Sequence, residues 1–347
     1  MKKTLAALIV TAFAASAANA AVVYDNEGTK VELNGSLRLI MEKADKKVYN
    51  AANQSTKKAN SALRNAGSRF GITVKHNLDN DFYALGRLEF RFDDTTSRDK
   101  FGRLYAKRAY VGLGSKATGD ITFGRQLTIA DDLSQAVDYE YGFIPKSEYI
   151  PTAGTGVVRY DYKGIEGLQL SANYNFGQTN DEKGNPLKPG IKNAYAVGAL
   201  YTVGDLDARL AYGHTNFETG ASYAHRLDGV LASLGYKFGD FTLTGDFGYG
   251  HEKLDDAKVN KFYVSPGFAY QVVPASKVYG NYLYERAKGE SDKVKTHGFL
   301  LGADYKLHKQ VVLFVEGKYV TAKKYVNDSY DGKVKDRAIG VGMRVFF

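Results

Sequence analysis

Apolar and polar residues alternate with a period of two along much of this chain. The last eleven residues, RAIGVGMRVFF, show it most plainly, since every second position is apolar: Ile339, Val341, Met343, Val345 and Phe347. Successive side chains of a strand point to opposite faces, so such a segment predicts a strand with one apolar and one polar face. The pattern continues to the aromatic carboxyl terminus, which predicts a final strand whose apolar face needs an apolar neighbour.

About sixteen segments of this kind follow residue 20, and LQLSANYNF (168–176) and FTLTGDFGYG (241–250) are clean examples. Each is roughly ten residues long, the length that a tilted strand needs to cross the hydrocarbon layer of a membrane. The segments begin near residues 31, 68, 82, 100, 118, 154, 167, 192, 206, 224, 240, 258, 275, 293, 310 and 336.

The connections between these segments alternate in length. The short ones are 77–81, 116–120, 163–167, 203–205, 238–240, 271–276 and 307–310. The longer polar ones include 43–66, 177–192, 214–224 and 322–335. Short turns at one end and long loops at the other are typical of an outer-membrane barrel.

A soluble β-sandwich or lipocalin-like barrel is the alternative fold, because its strands also alternate. With about sixteen strands, however, the enclosed space is too wide for side chains to fill. The polar face must then line water and the apolar face must meet lipid. After residue 21 the chain has no run of 18 apolar residues, so crossing a membrane requires a closed barrel rather than a helix.

Composition supports strands and excludes thiol chemistry. The chain has 26 Tyr and 19 Phe but no Trp and no Cys. Aromatic residues fit a pleated surface, and without cysteine there is neither a disulfide framework nor a thiolate metal site. Aromatic residues at strand ends suit the interfacial girdles of a barrel, although ordinary packing explains each one equally well. Examples are Tyr174, Phe176, Tyr236, Phe238, Tyr305 and Phe347.

The first twenty residues form a separate unit. Lys2 and Lys3 precede a short apolar run over residues 5–13, and Ala18-Asn19-Ala20 follows. This order predicts a secretory signal peptide over residues 1–20, removed near Ala20, and a barrel domain over residues 21–347; the alternative is a buried N-terminal helix. The mature chain would keep 45 basic and 38 acidic side chains, a net charge of +7.

Nucleic-acid binding and enzymatic catalysis find little support in the sequence. Basic residues are scattered among acidic ones without a basic block. The six histidines fall at turns, loops and strand ends without metal-ligand spacing, and there is no G-x-S-x-G or P-loop motif. We therefore expect no cofactor, no metal and no catalytic residue.

One connection, residues 127–153, is much longer and more acidic than the others. Its acidic residues are Asp131, Asp132, Asp138, Glu140 and Glu148. Arginines of opposite sign occupy the polar positions of early strands: Arg38, Arg69, Arg87, Arg108 and Arg159. If the loop folds into the lumen, the two sets create a transverse field that sets ion preference. The alternatives are a solvated surface loop and arginines that are ordinary lumen or rim charges, with Glu89 neutralising part of the set.

Several stretches together resemble the general diffusion porins of Gram-negative outer membranes, above all the major porins of the Haemophilus and Pasteurella group. They include VVYDNEGTKVELNGSLRL, SRFGITVKHNL, AKRAYVGLGS, GDITFGRQ, GVVRYDYKGIEGLQLSANY, YVSPGFAY, LGADYKLHKQ and GVGMRVFF. The resemblance covers essentially all of the mature chain.

The resemblance implies a sixteen-stranded antiparallel transmembrane β-barrel with short periplasmic turns, long extracellular loops and an inward-folded third loop. It also implies a homotrimer, with outer-membrane lipids, lipopolysaccharide and the barrel assembly machinery as partners and Phe347 as an assembly signal. Glu140 in YEYGF is similar to the family's loop glutamate, and Arg69 and Arg108 match its strand-borne arginines. Ser36 and Ala153 depart from its basic positions, where Arg38 and Arg159 are the candidate replacements.

Taken together, these features predict a water-filled channel for passive diffusion of small hydrophilic solutes and ions. A surface adhesin or receptor on a plugged barrel is the alternative, because the polar loops are long. A hydrolase with a Ser/His pair at one rim is a third, more distant reading.

Overall fold

The computed structural model describes residues 20–93, 102–219 and 224–347. The predicted signal peptide lies outside the described residues except for Ala20. No helix in the described ranges is long and apolar enough to cross a membrane.

Nineteen strands are present in the described ranges, and two short 3-10 helices, Ile129–Leu133 and Lys146–Glu148, lie in the long connection 127–153. The strands of the first half are β1 Ala21–Asn26, β2 Thr29–Asn50, β3 Ser55–Asn65, β4 Arg69–Asn77, β5 Phe82–Phe92, β6 Leu104–Ser115, β7 Gly119–Leu127, β8 Ala153–Ile165, β9 Leu168–Asn175 and β10 Gln178–Asn180. Those of the second half are β11 Pro186–Val203, β12 Leu206–Phe217, β13 His225–Phe238, β14 Phe241–Leu254, β15 Ala257–Val273, β16 Ser276–Lys288, β17 Asp292–His308, β18 Val311–Val326 and β19 Ser329–Phe346.

These strands form one closed antiparallel barrel with sixteen positions, as predicted. Strands β3 and β4 both pair with β2 and share one position, and β9 and β10 share another beside β11. Strand β1 forms a hairpin with the start of β2. The last strand, β19, pairs with β2 from Phe346–Ser36 to Gly332–Asn50, which closes the sheet and leaves no open edge there.

The predicted alternation appears as an apolar outer face and an inner face of mostly small or polar residues, with large apolar residues where the connection 127–153 packs against it. On β19, Ile339 and Val341 are more than half exposed, whereas Ala338 and Gly340, which alternate with them, are buried. Large apolar side chains are exposed on the other strands too, including Leu37, Met41, Val111, Leu210, Leu234, Phe299 and Leu301. The six aromatic residues proposed for the girdles are all exposed.

Several stretches that the sequence predicted as loops are extended strand hairpins. Strands β2 and β3 continue to Asn50 and Ser55 within the predicted loop 43–66, and β18 and β19 continue to Val326 and Ser329 within 322–335. Past the membrane both faces of a strand contact water. The apolar and polar alternation therefore disappears there although the hydrogen-bonded ladder continues.

Candidate pore constriction

Residues 128–152, called here the inward loop, pack against the inside of the barrel. Near its start and end, Ile129, Leu133, Tyr149 and Ile150 are essentially fully buried. They form one apolar cluster with inner-wall residues of β11, β12, β13, β15 and β16: Ala196, Ala211, Leu231, Tyr263 and Leu283. This part of the connection is therefore a packed element and not a solvated surface loop.

The middle of the inward loop packs farther round the wall. Tyr141 belongs to a second buried cluster, and Val137 and Tyr139 pack against it. The wall residues of this cluster come from β2, β16, β17, β18 and β19: Ile40, Tyr279, Leu300, Phe314 and Ala338. The loop thus follows the wall from β11 round to the closure between β19 and β2.

One buried carboxylate on the wall holds the backbone of the middle of the loop. Glu316 on β18 has no exposed surface. Its two oxygens accept hydrogen bonds from the backbone N–H groups of Tyr139 (2.6 Å), Glu140 (2.8 Å) and Tyr141 (2.5 Å). The Tyr279 hydroxyl donates a fourth bond at 2.9 Å. Hydrogen bonds to a charged acceptor are stronger than neutral ones, so Glu316 fixes the backbone at this point.

A second wall carboxylate fixes the loop after its first 3-10 helix. Asp246 on β14 accepts bonds from the backbone N–H of Gln135 at 2.9 Å and of Ala136 at 3.2 Å. The Ser134 hydroxyl donates to the same group at 3.0 Å. The Tyr139 hydroxyl donates to a further wall carboxylate, Asp304, at 2.6 Å.

Glycine on the inner wall makes this close seating possible. A Cβ atom added at Gly229 would lie 2.2 Å from the carbonyl oxygen of Tyr149 and 3.0 Å from a side-chain carbon of Ile150. A side chain there would push the end of the inward loop off the wall.

A row of arginines crosses the wall beside the inward loop, and Arg344 in this row donates a hydrogen bond to the Tyr139 carbonyl of the loop. Arg344 lies directly opposite Arg38 across β19 and β2, and Arg69 lies directly opposite Arg91 across β4 and β5. Arg69 is also the register partner of Ser36, whose hydroxyl accepts a 2.7 Å bond from Arg38. These cross-strand pairs of arginines concentrate positive charge in one row, although like charges directly opposite each other destabilise a sheet.

Glu89 neutralises the next part of the basic wall, as expected from its sequence position. Its buried carboxylate lies 2.8 Å from Arg87, 2.7 Å from Arg91 and 3.7 Å from Arg108. One carboxylate is thus shared by three guanidinium groups, which leaves a local excess of positive charge.

Two of the five predicted acidic loop residues form ion pairs with the wall. Asp132 lies 2.8 Å from Arg159, which also binds Asp161 at 2.9 Å. Glu140 lies 2.6 Å from Arg64 on β3. Each pair joins the loop to a strand on the basic side of the barrel.

The other three acidic residues form no ion pair within 4 Å among the residues described. Asp138 keeps exposed surface at the lumen, but the protein atoms that surround its carboxyl group exclude much of the water there. This desolvation, with the Glu316 carboxylate as a second cause, raises the pKa of Asp138 to about 6. Glu148 is also exposed, and the carbonyl of Asp131 accepts a bond from Lys146 within the loop.

A second connection also contacts the basic wall. Lys183, in the turn between β10 and β11, lies 2.8 Å from Asp93 at the end of β5. Its neighbour Glu182 pairs with Lys107, and the Glu182 carbonyl accepts a bond from Arg125 at 3.1 Å. These contacts place the turn over the long-loop end of β5, β6 and β7.

Sequence reasoning missed Arg64 and the wall carboxylates. Arg64 fell within the predicted loop 43–66, where no alternation marked a strand. The inward position of four other wall residues could be predicted, because each occupies a polar position in the alternating pattern of a late strand. They are Arg344, Asp246, Asp304 and Glu316. What the sequence lacked was a reason to connect them with a loop more than a hundred residues away.

A closed, sixteen-position antiparallel barrel with an apolar outer face and a loop folded inside defines a transmembrane barrel of the outer-membrane type. A family model described as Gram-negative porin matches residues 4–325, so the chain belongs to the Gram-negative porin family. It is an outer-membrane protein.

Relatives and solved structures agree with this assignment. The chain is 30% identical over 377 residues to the major outer membrane protein of Pasteurella multocida strain Pm70, and the match covers 100% of both chains. OmpT of Vibrio cholerae in its trimer form has a TM-score of 0.69 at 18% identity, over 92% of this chain and 100% of that one. The outer membrane channel DcaP of Acinetobacter baumannii also gives 0.69, at 20% identity, over 94% and 100%.

Proposed function

We propose that the chain forms an open, water-filled pore in which the inward loop and the arginine wall create a charged constriction. Small hydrophilic solutes and ions diffuse through it down their gradients. The observation that carries the proposal is the arrangement of charge. The inward loop packs along the wall from β11 through β19 to β2, where Arg38 lies, while Arg69, Arg87 and Arg108 belong to β4, β5 and β6 farther round the barrel.

Such an arrangement produces a field across the pore and not along it. Fixed charges in a narrow aqueous passage raise the local concentration of counter-ions and orient dipolar solutes. The acidic contribution comes from the exposed Asp138 and Glu148, together with the wall-paired Asp132 and Glu140. On the basic side, Glu89 compensates only part of the arginine charge.

The proposed activity involves no catalysis. In the described ranges no serine hydroxyl is bonded to a histidine; the ring nitrogens instead contact Thr29, Asp228, Asn216, Glu252, Asn260, Tyr282 and the backbone of Gln310. Diffusion through a preformed pore needs no such group.

The proposal includes the cellular setting. Residues 1–20 act as a signal peptide removed near Ala20, and the mature chain assembles as a homotrimer, for which the trimer form of the Vibrio OmpT is the supporting likeness. The other proposed partners are outer-membrane lipids, lipopolysaccharide and the barrel assembly machinery. That machinery would recognise Phe347 at the carboxyl terminus.

Single-channel recording tests the open-pore claim. The purified mature protein, incorporated into a planar lipid bilayer, should give large stepwise conductance increments, in groups of three for a trimer. Uptake of sugars of graded size into proteoliposomes should show a size cutoff. A folded, membrane-inserted barrel that passes neither ions nor sugars would exclude the pore and favour the plugged-barrel adhesin.

A further inference from the structure

The inner face of the last strand carries three successive residues beside the middle of the inward loop. Gly340, Gly342 and Arg344 alternate with the outward-facing apolar residues of β19. A Cβ atom added at Gly340 would lie 2.6 Å from the Tyr141 hydroxyl oxygen, and one added at Gly342 would lie 2.2 Å from the Phe314 ring. Small residues at these two positions therefore let the loop and its supporting ring approach the strand. The three residues are called here the terminal seat.

Arg344 contacts one loop residue, Tyr139, in two ways. Its guanidinium donates a hydrogen bond to the Tyr139 carbonyl, and its Cζ atom lies 4.6 Å from the centroid of the Tyr139 ring. The same atom lies 5.6 Å from the centroid of the Phe314 ring, which stacks on the Tyr139 ring with centroids 4.8 Å apart. A guanidinium within about 6 Å of a ring centroid is attracted to the ring. Arg344 therefore binds both the loop and the wall ring on which the loop rests.

Three adjacent strands bind the three polar groups of Tyr139. Its backbone N–H donates to Glu316 on β18 at 2.6 Å, and its hydroxyl donates to Asp304 on β17 at 2.6 Å. Its carbonyl accepts the bond from Arg344 on β19. Loss of Arg344 would leave a half-buried carbonyl without this charged donor, which is the stronger kind of hydrogen-bond partner.

Arg38 is the register partner of Arg344 across β2 and β19, but its contacts differ. In the described part of the chain, Arg38 has no hydrogen bond or ring contact with the inward loop. Its Nε atom donates to the Ser36 hydroxyl at 2.7 Å, and its guanidinium lies 5.9 Å from the centroid of the Phe346 ring. Both arginines add one positive charge at the same height on the wall, whereas Arg344 also binds the loop. The pair therefore allows the effect of charge to be separated from the effect of loop position.

We propose that Arg344 is a positioning residue, which holds the middle of the inward loop against the wall and so sets the free cross-section of the pore. The inference rests on the proposed function, because the cross-section matters only in an open lumen. Lysine is a poor replacement: a planar guanidinium stacks on a ring while it donates to a carbonyl, whereas an ammonium is a compact, strongly hydrated charge. A loop that leaves the terminal seat enters the lumen and narrows it.

Glutamine substitutions at the two register partners test the proposal in single-channel recordings. Arg344→Gln and Arg38→Gln each remove one positive charge, so both should move the zero-current potential toward cation preference. Only Arg344→Gln should show brief reductions of the open-channel current and slower entry of the largest permeant sugars into proteoliposomes. The fraction of open time at reduced current should be at least about tenfold higher than in Arg38→Gln, the effect of losing one hydrogen bond from a charged donor. Equal fractions in the two variants would overturn the proposal.

Two variants that keep the lumen charge give an independent readout. Arg344→Lys should retain the wild-type zero-current potential and still show the current reductions. Gly342→Ala should show them too, because its methyl group would displace the Phe314 ring that supports Tyr139. Gly317→Ala on β18 is the matched control, since a Cβ atom there meets its nearest neighbour at an ordinary 3.5 Å. Wild-type currents in both Arg344→Lys and Gly342→Ala would overturn the positioning role.

The failure of this proposal is distinguishable from the failure of the proposed function. Heat-induced unfolding followed on gels first establishes that each variant is a folded barrel. A folded, inserted wild-type protein that does not conduct would refute the pore itself. A conducting wild type whose Arg344→Gln and Arg38→Gln variants have the same current reductions would refute only the positioning role of Arg344.

Discussion

The Glu140 carboxylate of the inward loop lies 2.6 Å from the Arg64 guanidinium on β3. Arg64 also holds Glu42 of β2 through two hydrogen bonds of 2.9 and 2.8 Å. Glu42 in turn accepts a bond from the Tyr141 hydroxyl at 3.0 Å. One guanidinium thus connects the middle of the loop to the hairpin of β2 and β3, close to the point where the sheet closes.

Replacing Arg64 with Gln should free this part of the loop. Glu140 and Glu42 lose their shared cation, so the lumen becomes more negative and the loop less fixed. We expect a shift of the zero-current potential toward cation preference and an increase in open-channel current noise. Arg337→Gln is the matched control, because it removes an outward-facing arginine that pairs with Asp45. Equal changes in both variants would contradict a local role for Arg64.

Replacing Glu316 with Gln should loosen the loop without opening the barrel. A neutral amide is a weaker acceptor for three backbone N–H groups, and the loss should be about 1 to 3 kcal/mol. The expected result is noisier open-channel current with an intact barrel on thermal unfolding. Glu252→Gln, which changes a carboxylate near the long-loop rim, should not alter the noise. Quiet channels in Glu316→Gln would show that the apolar contacts alone hold the loop.

Lowering the pH should make the pore more anion-selective. The pKa of Asp138 is raised to about 6, so its carboxylate is charged at pH 8 and largely neutral at pH 4. Protonation removes negative charge from the lumen. The zero-current potential in a salt gradient should move toward anion preference with a midpoint near pH 6. In the Asp138→Asn variant this shift of the zero-current potential with pH should be absent. A shift as large as in the wild type would assign the titration to another group.

The carboxyl-terminal residue should contribute to barrel closure. The Gly35 N–H donates to the Phe347 carbonyl at 2.9 Å and the Phe347 N–H donates to the Gly35 carbonyl at 3.1 Å. The ring covers Gly35 so closely that a Cβ there would lie 2.4 Å from it. Deleting Phe347 removes these two hydrogen bonds and should lower the free energy of unfolding by about 2 kcal/mol.

Heat-induced unfolding followed on gels measures this loss. Phe347→Leu keeps the backbone pair and should unfold close to the wild-type temperature, whereas the deletion should unfold earlier. If the leucine variant is as unstable as the deletion, the aromatic ring and not the strand pairing is responsible.

The barrel was predictable because lipid on one side and water on the other impose a period of two on every membrane-crossing strand. The inward loop was predictable in its position and charge, since residues 127–153 stand out in length. The extensions to Asn50 and Ser329 were not, because water contacts both faces there. The contacts of Arg64 with Glu140 and of Glu316 with the loop backbone could not be predicted. They depend on how far round the wall the loop extends, and no local sequence pattern determines that distance.

The zero-current potential in a salt gradient tests the central claim, that an acidic loop faces a basic wall across an open lumen. A unit charge about 4 Å from an ion is worth about 1 kcal/mol in water, so permeability ratios should change by up to about fivefold per charge at low salt. Asp138→Asn with Glu140→Gln should move the potential toward anion preference, and Arg38→Gln with Arg69→Gln should move it toward cation preference. Conducting channels whose potential is the same in both double variants would contradict the account.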